Sequence, residues 1–214
     1  MASNQVLHVS IPTSHGRLEG ILKPEEEGST PHYVGLVCHP HPLYGGTMHN
    51  KVVFKMAQTL QQGFNFPTLR FNFRGVGHSS GTYDEGPGEM DDARYALEFL
   101  SRRYPGVPVI IGGFSFGSWI GLRLAAADDR AQAMIGLATP ARMFDSDTLK
   151  NCHKQKLFVH GTQDDVAPYE LAVKWFEHVP APKSMVAVQD ADHYFQGCLE
   201  EVQGIIFNFV QALI

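Results

Sequence analysis

The sequence predicts an α/β protein, a three-layer sandwich in which helices cover both faces of a mostly parallel sheet of roughly eight strands. Short apolar runs recur along the chain, and such runs are typical of strands buried on both faces of a parallel sheet. Segments with apolar residues three and four apart separate these runs. Residues 1–214 show no internal repeat and no linker, and the connections leave no room for a cap domain. We therefore expect a single domain.

The chain begins with a predicted antiparallel hairpin. Apolar and polar residues alternate over residues 1–23 around a turn at residues 14–16. After an acidic loop, residues 33–38 form a continuous apolar run between prolines, which indicates the first buried parallel strand. Further runs of this kind predict strands at residues 68–73, 109–112, 134–138, 157–160 and 185–188.

Helical spacing of apolar residues occurs between these strands. In the segment 91–103, Asp91 and Asp92 come first and Arg102 and Arg103 come last, as the helix dipole favours. The other predicted helices are residues 53–60, 118–127, 171–175 and 199–213.

The composition excludes several classes of protein and partner. Of 214 residues, 43% are hydrophobic and 18% charged, which is typical of a folded domain rather than a disordered chain or a coiled coil. A net charge of −5 gives no basic surface for nucleic acid. No apolar stretch approaches the roughly 20 residues of a membrane helix, and the first ten residues lack a signal-peptide pattern. We therefore expect a mature cytoplasmic protein that binds neither membrane nor nucleic acid.

The cysteines give no sign of a disulfide framework or a zinc site. Cys38, Cys152 and Cys198 are odd in number and far apart in the sequence. We expect reduced thiols and no metal.

The residues directly after the predicted strands carry the candidate chemistry, because ligands of open α/β sheets bind at the carboxyl ends of the strands. The strand at 109–112 is followed by Gly113-Phe114-Ser115-Phe116-Gly117 and then by a helix. This G-x-S-x-G pattern predicts a sharp strand-to-helix turn that exposes Ser115 Oγ. It also places Ser115 at a helix N-terminus, where backbone N–H groups favour negative charge. A tight turn with serine as a helix cap is the alternative.

A serine becomes a nucleophile when a base takes its proton and a third group orients that base. Asp164 and Asp165 follow one predicted strand, and His193 follows the next. The set Ser115, Asp164 and His193 therefore predicts a Ser-His-Asp triad, with each member at a strand end. We expect the second acid, Asp165, to lie in a solvated turn.

The loop after residues 33–38 is a candidate oxyanion hole, and it reads His39-Pro40-His41-Pro42. Because proline has no N–H, His41 is the preferred backbone donor and Leu43 the second choice, paired with the N–H of Phe116. A His-x-His pair is also a possible metal site, but no third ligand follows at a suitable spacing. We expect His39 to fix this loop through buried hydrogen bonds.

The loop after residues 68–73 is rich in glycine but lacks the G-K-[ST] ending of a phosphate loop. Its glycines favour close passage beneath the site. We expect Arg74 to tie loops together through carboxylates such as Asp84 or Asp92.

These motifs resemble those of the α/β-hydrolase superfamily over essentially the whole chain. Together they look like a compact, capless subgroup that is similar to dienelactone hydrolases and to proteins labelled acylaminoacyl-peptidase-related. The resemblance implies Ser115 as nucleophile, Asp164 as acid and His193 as base, with oxyanion donors at Phe116 and His41. Dienelactone hydrolases have a cysteine nucleophile, so their lactone specificity is not carried over. Asp145 and Asp147 are the lower-ranked candidates for the acid.

The expected function is hydrolysis of carboxylic esters of small to medium acyl groups through an acyl-enzyme on Ser115, without a metal or organic cofactor. The expected partner is a small acyl substrate, and the sequence does not indicate an oligomeric state. Thioester or amide hydrolysis by the same residues, and a non-catalytic binding module on the same fold, stay open as alternatives. The candidates for an apolar acyl pocket, with core packing as the alternative for each, are Tyr44, Phe114, Tyr194 and Phe195.

Overall fold

The computed structural model describes residues 6–145 and 147–214, so the start of the hairpin predicted over residues 1–23 lies outside the described residues. The strands are β1 (Leu7–Thr13), β2 (Gly16–Lys23), β3 (Val34–Cys38), β4 (Thr68–Phe71), β5 (Val109–Phe114), β6 (Ala131–Leu137), β7 (Gln155–Gly161) and β8 (Lys183–Val188). They form an eight-stranded sheet in the order β1-β2-β4-β3-β5-β6-β7-β8. β2 pairs antiparallel with β1 and β4, and the other pairs are parallel. The predicted mostly parallel sheet is confirmed.

Helices cover both faces of this sheet: α1 (Lys51–Phe64), α2 (Pro87–Arg103), α3 (Phe116–Ala127), α4 (Tyr169–His178) and α5 (Leu199–Gln211). On one face, α1 and α5 contact each other over a core that includes Met56 and Ile206. On the other face, α2, α3 and α4 pack over a second core, with Trp175 of α4 at its margin. Two cores separated by one sheet make the predicted three-layer sandwich. Among the described helices, none is both long enough and apolar enough to cross a membrane.

The start of α2 differs from the prediction, since the helix begins at Pro87 rather than at Asp91. Glu89 is fully buried, and its carboxylate accepts hydrogen bonds from the backbone N–H groups of Asp84 (2.9 Å) and Gly86 (2.8 Å). This buried cap sets the helix start, with proline at a position where its missing N–H costs nothing.

The end of β4 also differs, since the strand stops at Phe71 while its apolar run continues to Phe73. The backbone N–H groups of the next two residues do not donate to β3, the parallel neighbour of β4. Asn72 N–H donates to the carbonyl of Glu19 (2.8 Å), and Phe73 N–H donates to the ring of His39 (3.0 Å). The chain therefore leaves the sheet to support the loop that follows β3.

The chain order reverses beside β3, because α1 leads from β3 to β4 on one side and α2 leads back to β5 on the other. The carboxyl ends of β3 and β5 are therefore neighbours at a topological switch point, where open α/β sheets bind their ligands. The sequences that follow these two strands contain Ser115 and the His39–Pro42 segment. The topology thus brings the predicted turn and the predicted oxyanion loop together.

A buried ion pair ties the loop after β4 to α2. Asp92 is fully buried and accepts hydrogen bonds from the backbone N–H (2.8 Å), Nε (3.1 Å) and Nη2 (2.9 Å) of Arg74. Asp84 Oδ2 lies 3.9 Å from Nη1 of the same guanidinium. The hydrogen bond with Asp92 raises the pKa of Arg74. The predicted role of Arg74 is confirmed.

The Asp92→Ala substitution should lower the free energy of unfolding by about 3 kcal/mol, because it leaves the largely buried guanidinium of Arg74 without its partner carboxylate. Urea unfolding monitored by circular dichroism measures this loss. The neighbouring Asp91→Ala substitution is the matched control, since Asp91 pairs with Arg94 on the exposed face of α2. That variant should lose less than about 1 kcal/mol. Equal losses in the two variants would contradict a structural role for the buried pair.

Candidate active site

Ser115 occupies a sharp turn between β5 and α3, with backbone angles φ 52° and ψ −123°. Positive φ is costly for a serine and persists only where the surrounding structure enforces it. A Cβ at Gly117 would overlap the carbonyl oxygens of Cys38 and His39, and a Cβ at Gly113 would overlap the carbonyl oxygen of Gly117. The two glycines of the G-x-S-x-G pattern are therefore required by close backbone contact, and the predicted turn is confirmed.

A chain of hydrogen bonds connects Ser115 to a buried carboxylate. Ser115 Oγ lies 3.0 Å from His193 Nε2, and His193 Nδ1 lies 2.8 Å from Asp164 Oδ2. An ionised carboxylate only accepts, so Nδ1 carries the proton and Nε2 is left to accept from the serine hydroxyl. The structure thus brings together the three residues that the sequence predicted as a triad.

The surroundings of Asp164 keep this carboxylate ionised. Burial raises the pKa of Asp164, but hydrogen bonds from His160, His193 and the Ala167 N–H outweigh it and hold the pKa well below the usual range. Asp164 Oδ1 accepts from the backbone N–H groups of Val166 (3.0 Å) and Ala167 (2.7 Å). The carboxylate is therefore both charged and fixed in position opposite the His193 ring.

His160 is a site residue that the sequence reasoning missed. It lies at the end of β7 with 1% of its surface exposed, and its Nε2 donates to the carbonyl of Ala167 (2.6 Å). The same nitrogen lies 3.3 Å from Asp164 Oδ2. The sequence did contain a sign of this role: His160 directly precedes the glycine that ends the strand, and Asp164 follows in the adjoining turn.

The other carboxylates considered for the acid lie elsewhere. Asp165 is exposed in the turn after β7, as expected for the second acid of the pair. Asp145 Oδ1 accepts from the backbone and hydroxyl of Thr148 within its own turn. Asp147 forms an ion pair with Lys150 at 3.6 Å. The geometry favours Asp164.

Two backbone N–H groups beside Ser115 are available to a ligand. Between described residues, no hydrogen bond uses the N–H of Phe116, the first residue of α3, or the N–H of His41. The Leu43 N–H, the second choice from the sequence, donates to His41 Nδ1 (3.2 Å) and is occupied. The structure is therefore consistent with the pair Phe116 and His41.

The two histidines of the loop after β3 use their ring nitrogens within the protein. His39 Nδ1 donates to the Pro40 carbonyl (2.6 Å), and His39 Nε2 accepts from the Phe73 N–H (3.0 Å). Burial lowers the pKa of His39 to about 4, although the hydrogen bond with Pro40 acts in the opposite direction. His41 Nε2 lies 3.2 Å from the hydroxyl of Tyr83. His39 thus fixes the loop as predicted, and the pair is not arranged as metal ligands.

A cavity of about 420 Å³ lies over Ser115 and His193, which is a normal size for a small-molecule site. Its margin carries large exposed side chains: Tyr44 is 83% exposed, Val166 61% and Tyr194 54%. A larger cavity of about 640 Å³ lies between β1 and α2, and its lining includes none of these residues. The chemistry of the lining favours the smaller cavity as the site.

Two of the four predicted pocket residues differ in position from the prediction. Tyr44 and Tyr194 line the cavity, whereas Phe114 and Phe195 are fully buried in the core between the sheet and the α1–α5 layer. Phe114 ends β5, and its ring packs against His193 with a centroid separation of 5.1 Å. The Phe114 ring therefore supports His193 from the core, and neither phenylalanine lines the opening.

Comparison with known proteins agrees with the fold. Residues 41–152 match the family model of the alpha/beta hydrolase fold. The uncharacterized protein RP471 of Rickettsia prowazekii (strain Madrid E) is 31% identical over 204 residues, covering 91% of this chain and 84% of that protein. The chain belongs to the α/β-hydrolase fold family.

Solved structures define the subgroup more closely. XC6422 from Xanthomonas campestris, described as an α/β serine hydrolase without a lid, has a TM-score of 0.89 and 30% identity over 99% of this chain and 96% of that chain. ATU1826 from Agrobacterium tumefaciens, of unknown function, has a TM-score of 0.88 and 31% identity over 96% of this chain and 95% of that one. An esterase of Pyrococcus furiosus shares the fold. It is 16% identical, with a TM-score of 0.83 over 97% of this chain and 91% of that chain. The capless architecture predicted from the sequence is confirmed.

Protonation of His39 should make the fold less stable in acid. Its folded pKa of about 4 lies below the value of about 6.5 for histidine in an unfolded chain. Below about pH 6.5 the unfolded chain therefore binds a proton that the folded protein excludes, so the free energy of unfolding falls with pH. We expect a loss of about 3 kcal/mol from this group by about pH 4, measured by urea unfolding across the range.

The His39→Gln substitution tests the source of this loss, since an amide can donate to Pro40 and accept from Phe73. Its stability should depend less on pH over this range than that of the native protein. His8→Gln, at an exposed position of β1, is the control and should keep the native dependence. An unchanged dependence in His39→Gln would exclude His39 as the source.

Proposed function

We propose that this protein is a serine hydrolase that cleaves carboxylic esters of small to medium acyl groups. The observation that carries the proposal is the hydrogen-bonded chain from Asp164 through His193 to Ser115, at 2.8 and 3.0 Å. This chain of hydrogen bonds lies at the switch point of the sheet. The fold family of the protein is described as alpha/beta hydrolase, and its relative from Xanthomonas campestris is described as a serine hydrolase.

In the proposed reaction, Ser115 Oγ attacks the ester carbonyl carbon while His193 Nε2 takes the hydroxyl proton. The resulting tetrahedral intermediate collapses, the ester C–O bond breaks, and His193 gives its proton to the leaving alkoxide. Water, deprotonated by His193, then attacks the acyl-enzyme and releases the acid and Ser115. Asp164 stays ionised throughout and stabilises the imidazolium that forms in each half.

The oxyanion of each tetrahedral intermediate would accept hydrogen bonds from the N–H groups of Phe116 and His41. Fixed donors of this kind are worth about 100- to 1000-fold in rate each. Phe116 is held because it begins α3, and His41 is held because its Nδ1 accepts from Leu43 and its Nε2 contacts Tyr83. Under this proposal, both N–H groups would be fixed before substrate binds.

The shape of the site supports modest selectivity for the acyl group. The cavity of about 420 Å³ is open, and exposed apolar side chains rather than a lid surround it. Short and medium acyl groups fit such a cavity, whereas a long chain would extend past its margin into solvent. Thioesters and amides use the same attack and are the alternatives within this class. A binding module without turnover is the alternative outside it.

The Ser115→Ala substitution should abolish hydrolysis of nitrophenyl esters, because it removes the oxygen that attacks the carbonyl. The measurement is initial rate against chain length, from acetate to laurate, for the native protein and the variant prepared identically. We expect native rates to be highest for the short and medium esters. Matched thioester and anilide substrates then establish which bond is preferred.

If ester hydrolysis is not observed, labelling of Ser115 by an organophosphonate distinguishes a wrong substrate class from the absence of a working nucleophile. Stoichiometric labelling without ester turnover would show a working nucleophile and a wrong substrate class. Neither labelling nor turnover would favour the binding module. Equal turnover by Ser115→Ala would exclude the proposed mechanism.

In a pH series from about 8 to about 5, the rate should be lower at the acid end, because a protonated base cannot accept the serine proton. The measurement is kcat/KM for a nitrophenyl ester across this range. Circular dichroism at each pH verifies that the protein stays folded. A rate that is constant down to about pH 5 in the folded protein would remove His193 from the role of base.

A further inference from the structure

A second cavity, of about 380 Å³, lies beside the candidate active site. Asn50 and Tyr194 line both cavities, so these two residues form a shared wall. The second cavity is also lined by Lys51, Gln196 and Leu199. Asn50 is held in place because its side chain caps the start of α1. The two cavities are therefore neighbouring parts of one surface depression.

Among the described residues that line the second cavity, Lys51 carries the charge. Between described residues, no ion pair or hydrogen bond occupies the exposed ammonium group of Lys51. Among the acids close in sequence to this lining, Glu200 pairs with Lys55, and Asp192 accepts from backbone N–H groups in its own loop, including that of Gln196 (2.9 Å). Glu201 is exposed on α5 and is not part of the lining. The free positive charge in this cavity lies on Lys51.

The position of the leaving oxygen determines which part of the substrate lies near the second cavity. The leaving oxygen must lie within hydrogen-bond reach of His193 Nε2 in order to receive its proton. The ring of Tyr194, the next residue, lies 5.2 Å from the His193 ring between centroids and forms the shared wall. An alcohol group attached to that oxygen can extend past Tyr194 into the second cavity, which Lys51 lines.

Building on the proposed function, we propose that the second cavity is a subsite for the alcohol part of the substrate, and that it favours an anionic group there. The acyl part stays in the cavity over Ser115. Gln196 also lines this cavity and its amide can donate a hydrogen bond, so a carboxylate or phosphate on the alcohol would have one charged and one neutral donor available.

The test compares esters that differ only in charge. The substrates are ω-acetoxy carboxylates with three to seven carbons in the alcohol chain, each paired with the isosteric ω-acetoxy amide. The readout is acetate release, expressed as the ratio of kcat/KM for the carboxylate to that for the amide. We expect the ratio in the native protein to reach about two- to fivefold at the best chain length, the range of an exposed ion pair. Added salt should reduce it.

The Lys51→Glu substitution should lower this ratio below one, because it places a negative charge beside the carboxylate. Lys174→Glu makes the same charge change on the exposed face of α4, and Lys174 lines neither cavity. That control should keep the native ratio, so that an effect of net charge alone is detected.

The outcomes distinguish the two proposals. Hydrolysis of both substrate series with a ratio near one, or an equal fall in both variants, would overturn the subsite while the esterase proposal stands. Hydrolysis of neither series, together with inert nitrophenyl esters, would overturn the esterase proposal and the subsite with it.

Discussion

The close contact between the start of α3 and the end of β3 is the constraint on which the site depends. Gly117 lies directly against the carbonyl oxygens of Cys38 and His39, with no space for a Cβ. This contact holds Ser115 at positive φ and brings the N–H of Phe116 to the loop that contains His41. A side chain at position 117 would push α3 away from β3 and separate the two candidate donors. The Ser115 hydroxyl and the two candidate donors are therefore positioned by the same backbone packing.

The loop after β3 is in turn supported from the opposite side of the switch point. His39 bridges the Pro40 carbonyl and the Phe73 N–H, and it does so as a neutral ring because burial disfavours its charge. The residue after Phe73 is Arg74, which Asp92 of α2 holds. A continuous set of buried hydrogen bonds thus runs from α2 to the candidate oxyanion loop, and such networks are rigid only when every member is satisfied. Fold stability and site geometry are coupled through this set.

The strand positions along the chain and the three residues Ser115, Asp164 and His193 could be predicted because periodicity and position at a strand end are local properties of the sequence. The end of β4 and the start of α2 could not be predicted, because a histidine in the loop after β3 and a buried glutamate set them. Side-chain direction was also beyond reach: Phe114 and Phe195 flank the site residues in sequence, yet the packing of α1 and α5 buries them. His160 was missed because its partner, Asp164, had already been assigned as the partner of His193.

The exposed margin of the cavity bears on how a site without a lid excludes water. A lid covers the substrate and strengthens the electrostatic interactions beneath it. Here the large side chains Tyr44, Val166 and Tyr194 are exposed, and a bound substrate would cover them. An apolar group that contacts this margin gains binding free energy from its burial and shields Ser115 from water at the same time. Under the proposed function, selectivity would then come from how well the substrate itself closes the site.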